Sequence, residues 1–139
     1  MSYRKLTELD VRGKRVLVRE DLNVPIGPST PAPSTSSGAS VQDDIARDDI
    51  VEIVDYARID AALPTLRWLH DRGARTIVCS HLGRPDGKAD PRFSLRPVAG
   101  ALSQRLGLPA SFAADCVGEV ALRAADALND GDVLLLENV

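Results

Sequence analysis

Aromatic side chains are scarce: two Tyr, two Phe and one Trp make up 4% of 139 residues. A core with so few rings must be built from Val, Leu, Ile and Ala, and its cohesion spreads over many small contacts. Cysteine is scarcer still. Cys79 and Cys116 make neither a metal-ligand spacing nor a disulfide framework. Cys79 lies in an apolar run and reads as a small core residue. The two histidines, His70 and His81, are eleven apart and form no metal motif. Long hydrophobic runs are missing as well. The longest, Val133 to Leu136, is strand-sized, against the ~20 residues needed to span a bilayer. The first residues, Met1 to Glu8, carry no hydrophobic signal segment. No membrane association is expected, and the expected compartment is the cytoplasm. Seventeen basic residues against twenty acidic give a net charge of −3. This balance excludes a broadly basic nucleic-acid surface but leaves room for a local basic pocket.

Several catalytic signatures are also absent. Gly83-Arg84-Pro85-Asp86-Gly87-Lys88 has the wrong spacing for a P-loop and contains a proline. No Gly-x-Gly-x-x-Gly follows a strand, and there is no Gly-x-Ser-x-Gly nucleophile elbow.

What is present has the balance of one soluble domain, with 44% apolar and 27% charged residues. Pro28 to Ser40 is drawn only from Pro, Ser, Thr, Ala and Gly and has nothing to bury. Behind it, Asp43 to Asp55 holds six acids and one base. Residues 27–52 are therefore expected to be a disordered insertion within the domain. Around it, strand and helix signals alternate. Lys14–Arg19 reads as a buried strand and Ala57–Asp71 as a helix, kinked at Pro64 and stopped by Gly73. Thr76–Ser80 is a second strand. Leu95–Leu106 is a helix, with Ser94 before it and Gly107 after it. Ala110–Ala114 is a weak strand, Val117–Leu128 an Ala-rich helix, and Val133–Glu137 a strand buried on both faces. The order is β-α-β-α-β-α-β. It predicts an α/β fold, a parallel sheet flanked by helices in a Rossmann-like three-layer arrangement.

Ligands of such sheets bind beyond the carboxyl ends of the strands. That rule points to two loops, Glu20 to Pro25 and Ser80 to Pro85. Asp21 and Asn23 are two apart and face one side of an extended segment. One accepts only, while the other donates and accepts, a pair suited to hydroxyl-bearing ligands. His81 and Arg84 lie three apart around Gly83, and Arg84 offers a forked donor for carboxylate or phosphate. Arg58 adds a cation at a helix start. Taken singly, each residue reads as a turn former or a surface charge. Together they suit a small, highly anionic molecule.

Four segments carry a family resemblance. Arg19-Glu20-Asp21-Leu22-Asn23-Val24-Pro25, Arg58-Ile59-Asp60-Ala61-Ala62-Leu63-Pro64-Thr65, Ser80-His81-Leu82-Gly83-Arg84-Pro85 and Leu134-Leu135-Leu136-Glu137-Asn138 stand in the order seen in phosphoglycerate kinase. The chain resembles the N-terminal portion of that enzyme. The resemblance implies that residues 1–139 form a partial acid-substrate-binding domain, its further strands and its nucleotide domain lying outside the chain. The implied reaction is reversible phosphoryl transfer between 1,3-bisphosphoglycerate and ADP, giving 3-phosphoglycerate and ATP with Mg²⁺. No metal site and no nucleotide site are expected in this chain, the family is usually monomeric, and the piece alone is expected to be inactive. Substrate-binding residues carried over by motif are Asp21, Leu22, Asn23, Arg58, His81, Leu82, Gly83 and Arg84. Arg58 takes the catalytic role of neutralising the phosphoryl group in flight. Arg47, after Asp43-Asp44-Ile45-Ala46, offers a weaker match for that role. In the family an Arg-Phe pair follows the segment ending at Asn138, and its arginine also contacts substrate. The resemblance further implies that the last strand, Val133–Glu137, lacks neighbours and leaves an apolar edge. A non-catalytic anion-binding or interaction module derived from the same domain is the alternative.

Overall fold

The computed structural model describes residues 2–28 and 51–139. Its elements are β1 (Arg15–Arg19), β2 (Ile26–Pro28), β3 (Val51–Ile53), α1 (Ala57–Asp71), β4 (Arg75–Cys79), α2 (Arg96–Leu106), β5 (Ala110–Ala113), α3 (Gly118–Asp126) and β6 (Val133–Leu136). Four strands form one parallel sheet in the order β1-β4-β6-β5.

This order corrects two expectations. β6 is no edge: it pairs with β4 on one side and β5 on the other, and all four of its residues are buried. Chain order does not reveal this, because the crossover through α2 carries β5 past the place that β6 later fills. Conversely, β1 is not buried on both faces. It is an edge strand, and Leu17 in its middle is 67% exposed.

Side chains alternate across the sheet and meet helices on either side. Val78, Val133 and Leu135 pack against Ile59, Leu63 and Leu66 of α1 and Val98 and Leu102 of α2. Leu134, Leu136, Ile77 and Cys79 face Ala121, Ala124 and Ala125 of α3. A third cluster, Val11, Leu69 and Ala74, closes the far end of α1 with Val16, Val18 and Trp68. The three-layer reading therefore holds, with aliphatic side chains in the core. Leu66, Leu69, Leu102 and Leu135 are fully buried, and each such side chain is worth about 1.5–3 kcal/mol.

Helix α1 keeps the expected bounds and continues through Pro64, whose ring sits on the exposed side. α2 ends as expected at Gly107, whose φ of 73° is a left-handed cap that a side chain would disfavour.

Residues 29–50, and with them Arg47 and most of the expected insertion, lie outside the described residues. The flanks of that insertion are ordered. Ile26–Pro28 and Val51–Ile53 pair as an antiparallel ribbon, Ile26 opposite Ile53. Buried Ile53 and partly buried Ile26 anchor this ribbon to the cluster under α1 and α2.

Candidate functional site

In the β1–β4 pair Arg19 stands opposite Cys79, so the loops after the two strands leave the sheet side by side. Two leucines root them. Leu22 and Leu82 are 0% and 3% exposed and belong to the core, so they anchor the loops from below. Buried Ser80 joins the loops, its Oγ accepting the Leu22 N–H at 2.9 Å. Asn23 joins them again, its Oδ1 accepting the Gly83 N–H at 3.0 Å. Among the described residues the Asn23 amide nitrogen takes no protein partner, which leaves two donors beside the loop.

Gly83 is required where it is. Its φ is +62°, and a Cβ there would stand 2.3 Å from the Phe93 ring. The loop therefore turns tightly under an aromatic lid, with part-buried His81 before the turn and exposed Arg84 after it.

Arg58 reaches the same rim from α1. Asp55 turns the chain into that helix, its Oδ1 accepting the N–H of Ala57, the first helical residue, at 2.8 Å. The turn fixes where Arg58 begins, and its guanidinium pairs with both carboxylate oxygens of Asp21. Asp21 Oδ1 also accepts the Asn23 N–H at 3.2 Å. The Arg58 hydrogen bond first, and the Asn23 amide second, hold the Asp21 carboxyl below the usual aspartate range, with a smaller contribution from the charge of His81. Glu20, the first residue after β1, is half-buried, and burial pushes its carboxyl above the usual range. Among the described residues, no carboxylate pairs with Arg19, His81 or Arg84. The rim carries donor groups and positive charge with few local counter-ions, an arrangement suited to a small polyanion.

The sequence-derived residues are thus brought together in two linked groups, Asp21 with Arg58 and Asn23 with Gly83, with His81 and Arg84 on the second loop. Sequence reasoning missed the supports. Glu137 and Asn138, just past β6, bind the loop and the start of α2, and Phe93 lies over Gly83. The available signal was a Glu-Asn pair directly after an all-apolar strand, at the carboxyl end where such sheets build their sites. A groove of about 790 Å³ opens beside these supports, between Lys88, Phe93, Cys116 and Asn138.

Residues 41–139 match the family model for phosphoglycerate kinase. The chain is 46% identical to the phosphoglycerate kinase of Salinispora arenicola over 142 aligned positions, covering 100% of this chain and 31% of the relative. It is 45% identical to the cytosolic phosphoglycerate kinase of Triticum aestivum, covering 99% of this chain and 29% of the relative. The solved phosphoglycerate kinase from Pyrococcus horikoshii superposes with a TM-score of 0.72 at 27% identity, covering 96% of this chain and 27% of that one. The Coxiella burnetii enzyme gives 0.67 at 33% identity, with the same coverages of 96% and 27%. The chain spans about 30% of the length of the curated relatives it matches.

Proposed function

Because the chain belongs to the phosphoglycerate kinase family, we propose that its carboxyl rim is the half-site that binds 3-phosphoglycerate and 1,3-bisphosphoglycerate. In the longer enzyme this rim serves reversible phosphoryl transfer between 1,3-bisphosphoglycerate and ADP. The observation that carries the reading is the convergence of Asp21, Asn23, Arg58 and the His81–Arg84 loop at the carboxyl end of the sheet.

Asp21 and Asn23 bind the carboxylate and hydroxyl end of the glycerate, Asp21 accepting from the hydroxyl and Asn23 donating through its amide nitrogen. His81 and Arg84 meet the phosphate side, on a loop whose Leu82 and Gly83 backbone is held in place by Asn138 and Asn23. The side chain of Leu22 keeps the first loop seated in the core. Arg58, held against Asp21, neutralises charge on the phosphoryl group in flight. Its place in the first turn of α1, with its guanidinium already against the Asp21 carboxylate, supports that role. Such chemistry depends on positioning and charge stabilisation, with no covalent protein intermediate. One arginine of this kind is worth about 10³ or more in rate.

Among the described residues no three acidic, imidazole or thiol groups converge as metal ligands. Nucleotide and magnesium belong to the other half of the longer enzyme, and without that half the chain binds its ligand but does not turn over, because proximity of the two substrates supplies much of the rate. No helix among the described residues is long and apolar enough to cross a membrane. We read the protein as cytoplasmic, in keeping with a cytosolic relative in wheat.

The test is an NMR titration of the chain with 3-phosphoglycerate beside an Arg84→Ala variant. Saturable shifts in the Glu20–Pro25 and Ser80–Pro85 loops are expected, weakened at least about tenfold in the variant by loss of a charge-assisted pair. A well-dispersed spectrum that does not respond would replace this reading with the interaction module.

A further inference from the structure

Asn138 is bonded as if it were a strand of backbone. Its Oδ1 accepts the Leu82 N–H at 3.0 Å, while its Nδ2 donates to the Leu82 carbonyl at 2.7 Å and to the Phe93 carbonyl at 2.9 Å. One primary amide thus satisfies both backbone groups of Leu82, the residue between His81 and Gly83, and spends its remaining donor on the residue whose ring covers Gly83. Glu137 secures the other end of this bridge. Its Oε2 accepts from Ser94 Oγ at 2.7 Å, and its Oε1 accepts the Leu95 N–H at 2.8 Å and the Asn138 N–H at 2.9 Å. Asn138 itself stands two residues after β6, whose four residues are all buried and which pairs with a strand on each side.

The 81–84 loop is therefore held from three sides: by Asn23 at the Gly83 N–H, by the Phe93 ring over Gly83, and by Asn138 on both polar groups of Leu82. We propose that Asn138 is a positioning residue for the substrate loop, transmitting the rigidity of β6 to His81 and Arg84 while touching no ligand itself. A ligand site held by such supports binds well because its donors do not have to be ordered on binding. The inference rests on the acid-substrate reading above for its ligand, but the loop geometry it claims is independent of that reading.

The variants are Asn138→Ala, which removes all three bonds, and Asn138→Asp, which keeps the shape. When ionised, the Asp carboxylate cannot donate and faces the Leu82 and Phe93 carbonyls with like charge. When protonated, it can again donate to one carbonyl and accept from Leu82 N–H. Two readouts are taken. Amide hydrogen exchange on the ligand-free chain should show Leu82 and Gly83 losing at least about tenfold protection in both variants, while the central strands β4 and β6 keep theirs. Titration with 3-phosphoglycerate should show affinity about tenfold weaker in both at neutral pH. In Asn138→Asp alone, the deficit relative to the parent chain at the same pH should shrink as the solution is acidified.

Unchanged Leu82 and Gly83 exchange in both variants overturns the proposal. So does lost loop protection with parental affinity, and so does a deficit in Asn138→Asp that ignores pH. Unfolding of both variants also overturns it, in favour of a purely structural role. If the parent chain does not bind 3-phosphoglycerate, the functional reading fails. The positioning claim is then decided by exchange at the loop and by the pH dependence of that exchange in Asn138→Asp.

Discussion

Arg58 and Asp21 hold each other on an open surface, with side chains 49% and 61% exposed. At this exposure the pair contributes little to stability, yet it decides where a key cation waits. Its signature is electrostatic. The Asp21 carboxyl is held below the usual aspartate range chiefly by the Arg58 hydrogen bond. An Arg58→Ala variant should therefore show the Asp21 side-chain ¹³C resonance titrating at higher pH than in the parent chain. The sign of the linkage follows. A carboxyl with a depressed folded pKa stabilises the fold above its unfolded pKa and loses that contribution as the pH falls through the folded value. The stability difference between parent and Arg58→Ala should shrink only below the ordinary aspartate range. A midpoint that does not move would mean that the ion pair is not kept in solution. The Asn23 N–H then remains the larger influence on Asp21, and Arg58 is already turned toward the ligand.

Helix α1 shows how a local defect survives inside a well-packed element. Pro64 supplies no N–H to the carbonyl four residues earlier, that of Asp60, and such an interior proline costs up to about 3 kcal/mol relative to alanine. Ile59, Leu63 and Leu66 on the inner face outweigh this cost by burial in the main cluster, so the helix runs on where a kink was expected. Pro64 itself is exposed. Pro64→Ala should therefore restore a hydrogen bond without disturbing the core, raising unfolding free energy by about 1–2 kcal/mol, read as a higher midpoint in urea. A lower midpoint would show that the Pro64 ring itself helps to seat Leu63 and Leu66. The bounds of α1 were legible because its apolar spacing and Gly73 stop are local signals, as was the Gly107 cap of α2. The β2–β3 ribbon was not, because three-residue strands with a proline at one end declare themselves only through a partner far along the chain. The position of β6 was hidden for the same reason: strand order is set by crossovers, and composition reports only that a strand is buried. The site divides in the same way. Asp21, Asn23, Arg58, His81 and Arg84 were legible from residue type at strand and helix ends. Asn138 was legible only by place, after an all-apolar strand; its residue type does not reveal that its partners are the backbone of Leu82 and Phe93.

At the scale of the whole molecule, the rim's positive charge sits on a chain with a net charge of −3. A polyanion approaching from far away meets a weakly repelling body and is attracted only within reach of Arg84, Arg58 and His81. Salt acts differently on the two ranges. At about 0.1 M the screening length is about 10 Å, which removes most of the distant repulsion while leaving short contacts largely intact. The two effects oppose one another. The dissociation constant for 3-phosphoglycerate should therefore rise by no more than about threefold between about 0.01 M and about 0.15 M salt, a shallow dependence for so highly charged a ligand. Arg84→Ala removes one short attraction and leaves the distant acids in place, so its dependence should be flatter still or should reverse, with binding improving slightly as salt is added. Calorimetric titrations at several salt concentrations read both slopes directly. A steep loss of affinity in the parent chain, unchanged in Arg84→Ala, would mean that the ligand is drawn by a broad basic field. The rim would then be one part of a larger surface, and the few named side chains would not account for binding.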